Sequence, residues 1–307
     1  MAYFTGTANN PADLLGKLRA HAETLGWVTD RASATEWYCH NAEGFWSFSA
    51  AAAQWFIVGN TGFDNALAWN TQPGNAVQHT PYSMNYPVDA QLSGGPFTRY
   101  HLFATADYLH LHVEIAAGQF RPVMIGTINK RGVTYSGGQY VCGAFVYGNN
   151  QKLSNDWSCY PFDGYHIRYS GGWNVLRLDG LDGGPSPEWL PFDYGTNVPR
   201  RVIGLGRGHY RSQFHPDTGL VDASANELNS STVVVPCAIY AVGAQQRSRY
   251  IGEVRDFGLC RMDFLAPGDT ITVGADTWRV FPLLQRGAEG DWSNTSALVG
   301  YAFRVFE

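Results

Sequence analysis

Cysteine is scarce in this chain of 307 residues: Cys39, Cys142, Cys159, Cys237 and Cys260 lie far apart, with no C-x-x-C pair. That pattern excludes a dense disulfide scaffold and a zinc ribbon, and predicts reduced thiols that pack as small hydrophobes. Charge is scarce as well, at 15% of residues, which excludes long exposed helices laced with ion pairs. The net charge of -5 supplies no basic stripe, so nucleic acid is excluded as a partner. The most apolar stretch, residues 50–58, is short and is broken by Gln54, which excludes a membrane-spanning helix. MAYFTGTANN lacks the basic start and apolar core of a secretory signal, so assembly in a cytoplasm is expected. No G-x-S-x-G, H-E-x-x-H or P-loop occurs. Gly204, Gly206 and Gly208 of VIGLGRGHY do not make a dinucleotide fingerprint, and DGLDGG from Asp179 lacks the ligand spacing of an EF-hand. No motif requires catalysis or a cofactor, and the chain is read as non-enzymatic.

What is abundant is glycine, 35 residues, and aromatics, 14%. Both point to β structure. Over residues 108–115 the sequence alternates, with Leu109, Leu111, Val113 and Ile115 on one face and Tyr108, His110, His112 and Glu114 on the other. This predicts a half-buried strand, the first of a β-meander continuing over 119–128 and 135–147. Further strands are predicted within 35–58 and over 172–178, 202–205, 232–242, 248–254, 270–273, 277–284 and 297–305. One helix is expected near the start. Asn10 can cap it, Pro11 suits its first position, Leu14, Leu15, Leu18, Ala22 and Leu25 recur at spacings of three and four, and Gly26 stops it. The fold class is therefore mainly β, built as β-sandwich-like units with long aromatic loops and one N-terminal amphipathic helix. The expected divisions are a helix and lead-in over 1–30, a β-rich core over 31–245 and a C-terminal β unit over 246–307.

Two stretches lose periodicity, 59–93 and 148–200, yet both keep aromatic residues. Loops of that length with such side chains are read as packed and functional. Phe63, Trp69 and Tyr82 in the first, and Trp157, Tyr165, Trp173 and Trp189 in the second, are the expected partner contacts, with Leu14 and Leu18 of the helix as a further attachment face. His110, His112 and Glu114 share one side of a strand at spacings of two, the best available metal candidate. His101 is a possible further ligand, but a polar sheet face covered by loops explains these residues as well, and no metal is assigned. Asp156, Asp163, Asp179, Asp182, Glu188 and Asp193 lie among aromatics, as a glycosidase or a sugar platform requires, while turn-forming aspartates are the plainer explanation.

Four stretches resemble virion proteins of tailed bacteriophages, those of the tail and baseplate: PADLLGKLRAHAETLGW, GNTGFDNALAWNTQPGN, the segment from GPFTRYHLF to SGGQYV, and ITVGADTWRVFPLLQRG with LVGYAFRV. They cover about half of the chain and skip residues 148–200. The resemblance implies a structural component located in the virion tail that assembles with other tail or baseplate proteins, by default as a symmetric homo-oligomer. A host-surface glycan-binding module using the 148–200 aromatics is the rival reading. A glycosidase using a pair among Asp156, Asp163, Asp179 and Glu188 is a third.

Overall fold

A computed structural model describes residues 1–78, 87–131, 136–144, 161–162, 174–192, 200–204, 232–243, 245, 247–283 and 299–306. Near the start, Asn10 is extended and its Oδ1 accepts a hydrogen bond from the Asp13 amide at 2.9 Å. Pro11 follows where a missing N–H goes unnoticed. These residues open α1 (Pro11–Thr24), whose Leu14, Leu15, Leu18 and Ala22 are all buried. Leu14 and Leu18 are thus core residues and not a partner-facing stripe. Replacing Asn10 with alanine is expected to lower stability by about 1 kcal/mol, read as a shift of the urea midpoint. An unchanged midpoint would show that the cap is dispensable.

The strands form three antiparallel sheets. A helix-side sheet runs β2 (Val28–Ala32), β3 (Glu36–His40), β4 (Phe45–Ala50), β5 (Gln54–Asn60) and β6 (Val88–Gln91) in sequence order. The central sheet is ordered β1 (Ala2–Ala8), β7 (Phe97–Ala104), β8 (Tyr108–Ala116), β9 (Gln119–Thr127), β11 (Ser136–Gly143), β12 (Val175–Asp179) and β13 (Trp189–Pro191). The far sheet is ordered β14 (Arg201–Ile203), β15 (Val234–Val242), β16 (Ser248–Arg261), β19 (Val299–Val305), β18 (Asp276–Pro282) and β17 (Thr270–Val273). Two links tie the central and far sheets together. β10 (Asn129–Lys130), just beyond β9, pairs with β16, and Phe192 bridges Val202 in parallel. The divisions expected after residues 30 and 245 fall inside paired structure, the first within β2 and the second between the paired strands β15 and β16.

The central sheet is covered on both faces. Leu109, Leu111 and Val113 of β8 join a core with Leu14, Leu18, Trp46, Trp55 and Trp189 beneath α1 and the helix-side sheet. Tyr108 belongs to a second core, with Phe103, Phe257, Phe281, Tyr301 and Phe303, between the central and far sheets. β8 is therefore not half-buried. Its alternation separates two interiors, with Leu109, Leu111 and Val113 facing one and Tyr108 the other, instead of core and solvent. The described cysteines Cys39, Cys142, Cys237 and Cys260 are buried and form no disulfide with one another.

Candidate functional site

The histidine face of β8 lies inside the second core. His110 and His112 are wholly buried, and His101 of β7 nearly so. The His112 ring sits 5.1 Å from that of Phe281 and 5.8 Å from Tyr301, and His110 lies 5.7 Å from Phe257. His112 Nε2 is 3.2 Å from the Pro282 carbonyl, which can only accept, so that nitrogen carries the proton. His110 Nε2 meets the Tyr140 hydroxyl at 2.6 Å. Burial pushes His110 and His112 down to about 3, and burial with Arg99 and Arg279 nearby pushes His101 to about 4. These rings pack as neutral aromatics beneath a sheet, not beneath loops. Glu114, the third member of the metal candidate, is only partly buried and its Oε1 accepts from the Gly118 amide at 3.0 Å. No group of three or more metal-ligating side chains occurs among the described residues.

A different site opens where β16 departs from its neighbour. Pairing runs Pro236 to Gly258 and then Ala238 to Glu253, so Val254, Arg255, Asp256 and Phe257 stand opposite Cys237. This is a large β-bulge, turned by Asp256 at φ 50°, a conformation that non-glycine residues seldom hold. The bulge aims its side chains at the turn between β7 and β8. Tyr108 donates its hydroxyl to Asp256 Oδ2 at 2.9 Å, Arg255 Nη1 lies 3.3 Å from Asp107, and Arg304 Nη1 lies 3.7 Å from Asp256. Arg304 also pairs with Asp276. On the other side Glu253 accepts from Asn129 at 3.3 Å and from Arg131 at 3.0 Å. Between these groups is a cleft of about 420 Å³, walled by Trp278, Pro236 and Phe257. Arg255 Nε, Arg304 Nε and Trp278 Nε1 are buried in its walls without an acceptor.

The carboxylates of the 148–200 stretch behave otherwise. Asp179 accepts from Arg177 Nε at 2.9 Å and Nη2 at 2.6 Å, from the Ser136 hydroxyl at 3.1 Å and from the Glu188 amide at 3.2 Å. Its lone pairs are spent within the fold. Glu188 lies 2.8 Å from Arg200 and is buried, and Gly184 sits so close over the pair that a Cβ there would meet Arg200 Nη1 at 1.9 Å. Burial pushes the Glu188 carboxyl up to about 7, against the pull of Arg200, with the Asp179 charge adding to the rise. Asp182 pairs with Arg249 at 2.9 Å. Asp179 and Asp182 line a polar cavity of about 550 Å³ that Glu188 does not reach, so Asp179 and Glu188 do not face one substrate. Asp156, Asp163 and Asp193 lie outside the described residues.

The expected aromatic anchors separate in the same way. Trp189 is 0% exposed, its ring fills the space over Gly59, and its Nε1 donates to the Gly74 carbonyl at 2.9 Å. It is a core residue and not a partner contact. Phe63 and Trp69 are partly buried and pack internally, Phe63 edge-on to Tyr38 and Trp69 stacked on Phe56. Tyr82, Trp157, Tyr165 and Trp173 lie outside the described residues.

Among the described residues, most exposed large apolar side chains lie on or beside the far sheet, Val28 of β2 being the exception. Val233 is 51% exposed and Tyr250 44%, and Phe264, Val273 and Phe306 are exposed as well. Val233, Val234, Pro236, Ala238, Tyr240 and Tyr250 border an apolar groove of about 460 Å³, and Pro236 also borders the cleft at the bulge. Neither feature was read from the sequence, since the bulge needs two strands to be compared. The run RDFGLC, left outside any predicted strand, was the available signal. The chain matches no protein-family model and no curated protein.

Proposed function

We propose that this protein is a non-enzymatic structural component of a bacteriophage tail or baseplate, located in the virion and packed against other tail proteins in a symmetric assembly. The carrying observation is the exposed apolar surface on and beside the far sheet, with Val233 and Tyr250 at the rim of one groove. An apolar groove of this kind is what an assembling protein buries against a neighbour. The resemblance in four stretches to tail and baseplate proteins supplies the kind of assembly. Two of those stretches contain β8 and β9 of the central sheet and β18 of the far sheet, whose Phe281 packs against His112 and Phe120.

The test is immunogold electron microscopy of phage particles from the source host, with antibodies against several surfaces of this chain. Gold at the tail end is expected. Absence of label from intact and from partly disassembled particles would remove the virion reading. A Val233→Asp, Tyr250→Asp variant, changed only at exposed positions, is expected to fold normally and fail to enter particles. Its normal incorporation would move the assembly surface elsewhere.

A further inference from the structure

The cleft at the β16 bulge has features that assembly through the apolar groove does not use. Three carboxylates, Asp107, Glu253 and Asp256, face three guanidinium groups, Arg131, Arg255 and Arg304, so the lining carries no net charge. A site selecting a phosphate or a metal ion would show an excess of one sign. Each guanidinium has five donors; Arg255 engages one nitrogen with Asp107, Arg131 bonds Glu253 and also Tyr250, and both side chains stay partly exposed at the rim. Carboxylate oxygens and the Asn129 amide add acceptors and donors at the same rim. Hydroxyl groups are both donor and acceptor, and a ring dense in them is the small ligand that matches alternating donors and acceptors without charge. Trp278 and Pro236 supply an apolar wall for the C–H side of such a ring. The volume, about 420 Å³, lies within the range of small-molecule sites.

The local backbone is unfavourable for a merely structural corner. A non-glycine residue at positive φ and buried N–H groups without acceptors each cost on the order of 1–3 kcal/mol, and such features concentrate at binding sites. From this geometry we propose that the cleft binds a neutral saccharide of one or two pyranose rings. None of the described residues between 148 and 200 lines the cleft, and its occupancy does not depend on whether the chain belongs to a virion.

The experiment uses the purified full chain on a printed array of neutral and acidic mono- to tetrasaccharides, followed by calorimetric titration with the best free sugar. Neutral saccharides are expected to bind, and Trp278→Ala, Asp107→Asn and Arg131→Ala are each expected to weaken binding about tenfold, equivalent to about 1.4 kcal/mol. Arg131 is exposed and Asp107 partly so, and thermal melting separates lost binding from lost folding in their variants. Binding to no neutral saccharide, or to acidic ones alone, overturns the proposal. So does neutral binding that all three variants leave unchanged. Failure to label phage particles would leave this result standing, and failure to bind sugar would leave the assembly reading standing.

Discussion

Trp189→Ala is expected to lower stability by about 3–5 kcal/mol, the usual loss for a large buried aromatic. The indole joins the central sheet to the helix-side sheet, because its ring lies over Gly59 of β5 while its N–H reaches Gly74. Truncation would open a cavity between two sheets that cannot collapse independently, and would leave the Gly74 carbonyl without this donor. A Cβ on Gly59 would come within 2.1 Å of the same ring, so Gly59→Ala is also expected to be destabilising, by about 1–3 kcal/mol. The two changes compete for one space, and in combination they should cost less than their sum. Chemical denaturation of the four proteins measures this. A Trp189→Ala loss below about 1 kcal/mol would mean that the indole is not buried as described, and would return it to the surface as a partner contact.

The second large effect is on pH dependence. His110 and His112 sit at about 3 in the folded chain, below the ordinary 6.5, so between those values the unfolded chain binds more protons. Their contribution is complete above 6.5 and is lost as pH falls toward 3. Compared with a His110→Phe, His112→Phe variant, the wild type should lose about 1.4 kcal/mol more per histidine for each pH unit between 6 and 4. Glu188 runs in the opposite direction, with stability present at low pH and lost as pH rises through about 7, but it is common to both proteins and cancels in the comparison. Removing the partner of the Tyr140 hydroxyl lowers the variant by a constant amount without changing the slope. Equal slopes in urea denaturation at pH 6, 5 and 4 would show that these rings are accessible to protons.

Local features were legible in the sequence where one element determined them. Asn10, Pro11 and the leucine spacing marked α1, and the alternation over 108–115 marked β8. The extent of β17 at Thr270–Val273 was read to the residue. What could not be read was what lies across from each element. His110 and His112 look like a wet face because histidine is commonly polar, yet a sheet whose strands lie more than a hundred residues further along the chain turns that face into an interior. Trp189 looks like an anchor in a glycine-rich loop until Gly59 provides the hole that receives it. The bulge at Asp256 is a difference in length between two paired strands, and a single strand carries no sign of it. The candidate cleft combines Asp107, Asn129, Glu253 and Trp278 from separate elements, so none was legible as a site residue.

The two-sided burial of the central sheet also sets a schedule for synthesis. The last strand of that sheet ends at Pro191, whereas the strands that cover its aromatic face run from Arg201 to Val305. At ribosomal speed the interval is on the order of ten seconds, during which Phe103, Tyr108, Met124 and Tyr140 would remain wet on a nascent chain. The early part of the polypeptide thus emerges with one finished interior and one uncovered hydrophobic face. The final third serves as the partner that the first two thirds must await, and folding in the cell is limited by translation as well as by barrier crossing.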